Sequence, residues 1–216
     1  MVLDRQACER IHEAALEVLR DVGVRVDDPD VVRLLEEAGA TVTQENVVRI
    51  PEHLVERAIR QAPHVVRIAD RNGNLWKLSP EGGTLVLTGN ALYVTRGRAR
   101  SELQSRDLAE LARIVDACGN IHGMVGTTVA DYPPACRDFV GFRIMAENTG
   151  KHLRPCIYTP RGARTVIEMA QVLLEGTPLR ERPIVSTGFS IMSPLRWTAL
   201  ALGVFKETAG FGVPVM

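Results

Sequence analysis

The chain has 216 residues, of which 45% are apolar and 24% are charged, and this balance is typical of a globular protein. Its 26 basic and 26 acidic side chains cancel, so no net field would attract nucleic acid or an anionic membrane. No run approaches the roughly 18 apolar residues of a membrane span, and the N-terminus does not read as a signal peptide, so we expect a cytoplasmic protein without nucleic-acid or membrane partners.

The first hundred residues predict helices mixed with short strands. Capping residues and prolines at the start, glycines and prolines at the end, and apolar residues at helical spacing between them predict helices over residues 4–23, 28–39 and 51–62. Residues 41–50 predict a small hairpin, and Asn72-Gly73 between two apolar runs is the strongest short hairpin signal in the chain. Residues 84–96 predict further antiparallel structure, with a bulge or turn at Gly89-Asn90. We assign residues 1–104 to a helix-and-sheet cap region.

After Ser105 strands and helices alternate. Apolar runs predict strands, which lie near residues 123–130, 154–159, 183–190 and 213–216. Helical spacing and capping signals predict the helices, over residues 105–118, 136–149, around 166–174, and from Ser193-Pro194 to about 209. This alternation, at a spacing of about 30 residues, predicts a parallel sheet with right-handed crossovers.

Two architectures fit such a sheet, an open doubly wound sheet or a (β/α)8 barrel. A nucleotide-binding open sheet usually carries Gly-x-Gly-x-x-Gly after its first strand, whereas the corresponding loop here, ADYPPAC, has no glycine. A barrel is therefore favoured. We predict an α/β fold in which residues 105–216 form a partial (β/α)8 TIM-type barrel of about four β/α units, preceded by the mixed region 1–104.

The order of short motifs along the chain resembles the trimethylamine methyltransferase family. Each motif is short, but they follow one another from about residue 10 to the end of the sequence. They read IHEAALEVLRDVGV, AGATV, VRIPEHLVERAIRQAP, IADRNGN, TGNALYV, SRDLAELARIVDA, DYPP, NTGKHLRP, STGFSIMSPL and FGVPV. One departure is Thr95, where the family tends to place an aspartate after the TGNALYV-like strand.

The resemblance implies a cytoplasmic barrel enzyme that moves a methyl group from a methylated or quaternary amine to the Co(I) corrinoid of a separate protein, as in methanogenesis from methylamines. It implies no cofactor bound directly by this chain, because the corrinoid (cobalamin) belongs to the partner protein. Family chains continue well beyond the match to FGVPV, and the pyrrolysine of some members lies in that continuation, so no residue here corresponds to it. We expect the sequence to resemble the N-terminal half of a member.

In a barrel, the chemistry lies at the carboxyl ends of the strands, and this placement selects candidate substrate-binding residues. A methylated ammonium group favours a nearby carboxylate and aromatic faces, because it donates few or no hydrogen bonds. The candidates are Asp131, Tyr132, Tyr158, Phe189 and Ser193. Plainer roles remain open: Asp131 and Ser193 each precede proline and suit a cap or turn, whereas Tyr158 and Phe189 suit a barrel core.

No catalytic residue can be assigned from the sequence. The chain has no His-Glu-x-x-His or Cys-x-x-Cys motif and no Gly-x-Ser-x-Gly elbow, which argues against a metal site and a serine hydrolase. The four cysteines are expected to be reduced thiols. Methyl transfer to a corrinoid would need no nucleophile from the protein, which agrees with the lack of catalytic motifs in the sequence.

Three readings stay open at this point. The chain is part of a corrinoid-dependent amine methyltransferase, or a non-catalytic half-barrel that acts as an interaction module or inactive remnant, or another parallel α/β enzyme. The apolar strand FGVPVM at the end would expose an open sheet edge, so we expect a homo-oligomer or a complementing C-terminal half as partner.

Overall fold

The computed structural model describes residues 3–188 and 190–215 and shows a mixed α/β fold. The helices in these ranges are α1 (Arg5–Glu17), α2 (Pro29–Glu37), α3 (Glu52–Gln61), α4 (Ser105–Ala117), α5 (Arg137–Asn148), α6 (Pro160–Leu173) and α7 (Ala199–Thr208). The strands are β1 (Val24–Val26), β2 (Thr41–Val42), β3 (Val47–Arg49), β4 (Val66–Ala69), β5 (Leu75–Leu78), β6 (Tyr93–Arg96), β7 (Ala99–Glu102), β8 (Gly123–Val125), β9 (His152–Arg154) and β10 (Arg196–Trp197).

The chain forms two compact units, and the first comprises residues 1–63 and 190–202. Its sheet has the strand order β10-β1-β3-β2, with β10 parallel to β1 and the other pairs antiparallel. Val26 and Val48 are fully buried in its core, and Leu54 of α3 packs with them. The predicted hairpin at residues 41–50 is confirmed as the β2–β3 pair.

The predicted helix signals of this unit are confirmed by the contacts they make. Asp4 accepts a hydrogen bond from the Ala7 backbone N–H at 2.7 Å, and Asp28 accepts from the backbone at the start of α2. Gly23 ends the first helical segment with φ +84°, and a Cβ there would lie 2.7 Å from the Val48 carbonyl oxygen. A side chain is therefore excluded at Gly23 by both backbone conformation and space.

The second unit comprises residues 64–189 and 203–216 and contains the parallel strands. β8 pairs in parallel with β9, and single parallel bridges extend this order on both sides: Leu87–Gly123, Leu153–Val185 and Thr187–Val215. The predicted Asn72-Gly73 hairpin is confirmed as β4–β5, and a second hairpin joins β6 to β7. The prediction that residues 84–96 are antiparallel is correct for β6 but wrong for Leu87, whose bridge is parallel.

Consecutive residues of the parallel segments are buried, so both faces of these segments are covered, as predicted. Met124 of β8 and Leu153 of β9 are essentially inaccessible, as is Val185. They share one core with Phe142 of α5 and Val166 of α6. Helices α5 and α6 therefore lie between successive parallel strands in the chain and pack on the same core.

Several predicted element boundaries are wrong. The last helix begins at Ala199 and not at Ser193, because Met192 and Arg196 pair with each other around a turn that contains the cis Ser193–Pro194 bond. The second parallel strand begins at His152, earlier than predicted. His152 is fully buried, and its ring nitrogens contact Ala69 O at 2.9 Å and a serine hydroxyl at 2.8 Å. Because both nitrogens have partners, this polar residue can occupy a buried position in the strand.

None of the sheets in the described ranges closes into a barrel, and the predicted partial barrel stays a prediction. The predicted division after residue 104 likewise stays a prediction about folding domains. Within the described residues, no helix combines the length and apolar character that crossing a bilayer would require.

Candidate functional site

A cavity of about 390 Å³ lies in the second unit, at the carboxyl ends of the parallel segments. The segments of Leu87, β9 and Val185–Thr187 contribute residues that follow their last paired positions, and β8 contributes its last paired residue, Val125, so the cavity depends on the parallel order of the sheet. Its lining residues are Thr88, Gly89, Asn90, Val125, Arg154, Pro155, Cys156, Ile157, Tyr158 and Gly188. The volume is within the range of cavities that bind small molecules.

Hydrogen bonds across the strand ends fix the walls of the cavity. The Val125 backbone N–H donates to Thr88 Oγ1 at 3.0 Å, and the Gly126 N–H donates to Arg154 O at 2.8 Å. A Cβ on Gly126 would lie 2.8 Å from the Cys156 backbone nitrogen, so glycine permits the close approach of the two chains. These contacts hold the strand ends that line the cavity next to one another.

Cys156 and Tyr158 give the cavity neutral hydrogen-bonding groups. The Cys156 thiol donates to Gly126 O at 2.9 Å, and burial raises its pKa against the opposing effect of hydrogen bonds to Tyr158 and Asn90. Burial is also the main cause that raises the pKa of Tyr158, although a hydrogen bond to Thr128 acts in the other direction. Both groups are therefore protonated near neutral pH. They are suited to hold a ligand and are not activated nucleophiles.

Helix α5 holds the loop that carries Tyr158. Asp138 is 1% exposed, and its Oδ2 accepts hydrogen bonds from the Tyr158 backbone N–H at 3.2 Å and from Thr159 Oγ1 at 3.1 Å. Thr159 caps α6 by accepting from the Gly162 N–H at 2.9 Å. One buried carboxylate thus joins α5 to the start of α6 and positions Tyr158 between them.

Of the predicted site residues, Tyr158 lines the cavity, whereas Asp131 and Tyr132 are not among the lining residues. The Asp131 carboxylate accepts from the Ser105 N–H at 2.9 Å and from Ser105 Oγ at 2.5 Å, at the start of α4. Burial raises the pKa of Asp131, but the hydrogen bonds from Ser105 outweigh it and leave that pKa below the ordinary value. Asp131 therefore has a capping contact at the start of α4.

The two remaining predicted residues have different positions in the chain. Phe189 lies outside the described residues. Ser193 belongs to the first unit, within a turn and not at the start of a helix. Whether any of the predicted side chains binds substrate stays a prediction.

Sequence reasoning missed several residues of the cavity wall, including Asn90, Arg154, Cys156 and the positioning residue Asp138. A signal was present for Asn90, because Thr88-Gly89-Asn90 lies at the end of an apolar run. The prediction that residues 84–96 are antiparallel hides this signal, because it removes Asn90 from the carboxyl edge of the parallel sheet, whereas the Leu87 bridge is parallel. The sequence predicts a strand near residues 154–159, whereas the strand ends at Arg154, so Cys156 belongs to the loop that follows it.

Arg154 determines the charge of the cavity, because it is the one ionised side chain among the described residues that line it. The described parts of the chain contain no group of three or more histidine, cysteine, aspartate or glutamate side chains arranged to hold a metal ion. The arrangement can bind a small polar molecule through a guanidinium, an amide, a phenol and a thiol.

Comparison with known proteins gives one consistent result. The family model described as trimethylamine methyltransferase (MTTB) matches residues 1–216. A trimethylamine methyltransferase MttB of Desulfitobacterium hafniense is 29% identical over 95% of this chain and 42% of its own length. The proteins of the same name from Methanosarcina barkeri and Methanosarcina thermophila are 28% and 27% identical, over 95% of this chain and 44% and 45% of their own lengths. The chain thus spans less than half the length of these relatives.

Proposed function

The chain belongs to the trimethylamine methyltransferase family, and from this premise we propose that it contributes to an enzyme that transfers a methyl group from a methylated or quaternary amine to the corrinoid of a partner protein. The observation that carries the proposal is the cavity at the carboxyl ends of the parallel strands, with Tyr158 and Arg154 in its wall. This is the end of a parallel α/β fold at which small-molecule sites form. The family match does not favour the alternative of a non-catalytic interaction module.

In the proposed reaction the nitrogen is positively charged, either quaternary or protonated. The bond between this nitrogen and the methyl carbon breaks, and its electron pair stays on nitrogen, so the nitrogen of the product is neutral. The corrinoid of the partner protein, when bound, supplies the methyl acceptor. The residues of this chain hold the amine, orient the methyl group and exclude water. Asn90 and Tyr158 are suited to orient polar parts of the substrate, and the neutral Cys156 and Tyr158 do not compete as nucleophiles.

The cavity is of a size for the amine and not for the corrin ring, which agrees with a corrinoid carried by another protein. The cavity offers neutral hydrogen-bonding groups, and its described lining residues include no acidic side chain. Both features fit this division of roles. We propose that the corrinoid protein docks at the open side of this cavity. The cytoplasmic location and the oligomeric state stay expectations.

We also propose that the parallel segments are part of a (β/α)8 barrel. Support comes from the order in which they pair, from Leu87 through β8 and β9 to Val185, Thr187 and Val215. Helices α5 and α6 provide the crossovers, as the repeated strand-helix unit of a barrel requires.

The charge of the cavity favours a substrate that carries a carboxylate beside its methylated nitrogen, that is, a betaine-type amine. A simple methylated ammonium would bring a second positive charge into a cavity whose described lining already includes the Arg154 guanidinium. A betaine places an anionic group on the same molecule, and Arg binds carboxylates with two parallel hydrogen bonds. A cavity with one arginine therefore fits the betaine type better than trimethylamine.

The test is binding of glycine betaine and of trimethylamine to the 216-residue chain, measured by calorimetry. We expect glycine betaine to bind more tightly, and Arg154→Gln to reduce its affinity about tenfold while strengthening the binding of trimethylamine, which is a cation near neutral pH. Arg161→Gln, outside the cavity lining, is the matched charge control. Methylation of a purified corrinoid protein, followed by its absorbance, tests the reaction itself. Absence of binding by either amine would contradict the site, and equal binding of both would contradict the betaine assignment alone.

A further inference from the structure

The motif IADRNGN forms a rigid turn at the other end of the parallel strands. The Asp70 carboxylate is 1% exposed and accepts hydrogen bonds from the backbone N–H groups of Asn72 and Asn74, both at 2.9 Å, and from Asn74 Nδ2 at 2.7 Å. The Arg71 N–H donates to Gly150 O at 2.7 Å, just before β9 begins. The turn is therefore fixed to the amino end of β9, and Arg71 extends from a well-defined backbone.

The Arg71 guanidinium is half-buried and only partly satisfied. Its Nη2 donates to Ala146 O and, at 2.5 Å, to Thr149 O, carbonyl groups at the C-terminal end of α5. Its Nε is buried and has no hydrogen-bond partner among the described residues. Burial lowers the pKa of Arg71, although the charge of Asp116 acts in the opposite direction. A desolvated cation of this kind gains from a nearby anion.

A second guanidinium approaches the same place. Arg182 Nε donates to the Asp70 backbone oxygen at 3.1 Å, and Arg182 is also half-buried. Arg71 and Arg182 both line a cleft of about 390 Å³, together with Leu173, Leu174, Glu175 and Thr177. In the described ranges neither guanidinium forms an ion pair with a carboxylate of the chain, whereas many exposed arginines do.

We propose that this cleft binds a small oxyanion of the phosphate type between Arg71 and Arg182. Arg182 can donate two parallel hydrogen bonds to a tetrahedral oxyanion through its two terminal nitrogens, because only its Nε is used within the described part of the chain. Arg71 can add one from Nη1, since its Nη2 already donates to α5, and Thr177 lies in the wall where its hydroxyl can add another. The cleft lies at the amino ends of the strands, because Arg182 comes before the Val185 segment and Gly150 comes before β9. The candidate methyl-transfer cavity lies at their carboxyl ends, so the oxyanion site is independent of the proposed function.

Glu175 allows a second test of the proposal, in which a substitution should raise the affinity for an oxyanion and not lower it. This exposed residue also lines the cleft, and its carboxylate repels an anion bound between the arginines. Glu175→Gln keeps the shape of the side chain and removes the charge. It should therefore tighten oxyanion binding, whereas loss of Arg182 should weaken it.

The experiment is titration of the 216-residue chain with inorganic phosphate at constant ionic strength, with chloride replaced by phosphate, followed by calorimetry and by the thermal unfolding midpoint. We expect saturable binding to wild type, a loss of affinity of about tenfold in Arg182→Gln and a gain of about threefold in Glu175→Gln. Arg180→Gln is the matched control, because Arg180 is exposed and does not line the cleft. A parallel titration with glycerol phosphate distinguishes free phosphate from the phosphoryl group of a larger molecule.

Arg182→Gln and Glu175→Gln leave the Arg71 contacts with α5 in place, so the test does not depend on a variant that removes those bonds. Saturable binding with the predicted opposite changes supports the site, whichever phosphate compound binds more tightly. Wild-type chain that responds to phosphate no more than to chloride would overturn it. Equal loss of affinity in Arg182→Gln and Arg180→Gln would also overturn it, because diffuse surface charge would then account for the binding.

Discussion

Asp138 and Tyr158 are joined by a hydrogen bond of 3.2 Å, in which the Tyr158 backbone N–H donates to Asp138 Oδ2. The same oxygen accepts from Thr159 Oγ1 at 3.1 Å, so the loop after β9 is held by a carboxylate on α5. Because Asp138 is buried and Tyr158 lines the cavity, the position of a candidate substrate contact depends on packing between two helices. Stability and site geometry are therefore coupled at this point.

Gly162→Ala is expected to disrupt this arrangement. A Cβ at Gly162 would lie 1.8 Å from Asp138 Oδ2, so either the carboxylate or the start of α6 must move. We expect a loss of about 3 kcal/mol in the free energy of unfolding, measured by urea denaturation. Gly141→Ala is the matched control, because its Cβ would meet its nearest atoms at ordinary contact distances of 3.7 and 3.9 Å. That variant should stay within about 1 kcal/mol of wild type, and similar losses in the two variants would contradict the prediction.

Asp131→Asn separates a capping role from an electrostatic one. If Asp131 only caps the start of α4 through Ser105, the variant should lower the free energy of unfolding by about 1 kcal/mol and leave amine binding unchanged. If the side chain supports a cationic ligand, as the sequence predicts, binding of trimethylammonium should weaken far more than binding of a neutral analogue. We expect the first result, because Asp131 is absent from the described cavity wall.

The helix boundaries of the N-terminal region could be predicted because local residues determine them. Asp4 and Asp28 make the caps that their positions indicate, and Gly23 has the positive φ expected of a helix end. The start of α7 could not be predicted, because Ser193-Pro194 has the sequence of a helix start but forms a turn. That turn depends on pairing between β10 and β1, which is distant in sequence.

The parallel order of the strands was predictable from the alternation of apolar runs and helices, but the cavity wall was not. Asn90, Arg154 and Cys156 come together because separate segments end side by side, and their identities follow no spacing rule. His152 shows the same limit in the core. A histidine in a buried strand position is compatible with burial only because Ala69 O and Ser186 Oγ satisfy its ring, contacts between residues far apart in the sequence.

Cys156 should react slowly with alkylating reagents. Burial raises the pKa of its thiol, and the thiolate is the reactive form, whereas Cys8 is exposed. We expect iodoacetamide at pH 8 to label Cys8 at least tenfold faster than Cys156, as measured by peptide mass spectrometry. A bound betaine should slow Cys156 further and leave Cys8 unaffected. Equal rates at the two cysteines, or protection of both by the ligand, would contradict the assignment of Cys156 to the cavity wall.

The stability of the second unit should fall in mild acid because of His152. Burial, opposed by hydrogen bonding and the nearby Asp70 charge, lowers the pKa of His152 from 6.5 to about 4. The folded state therefore favours the neutral ring, so its stabilising effect is complete above pH 6.5 and is lost as the pH falls from there towards 4. The loss should be about 3 kcal/mol in the free energy of unfolding. Urea denaturation between pH 7.5 and 4 measures it.

His152→Gln should be less stable at neutral pH but should show a flatter pH dependence, whereas the exposed His64→Gln should follow wild type. A His152→Gln profile as steep as that of wild type would show that other groups cause the acid sensitivity.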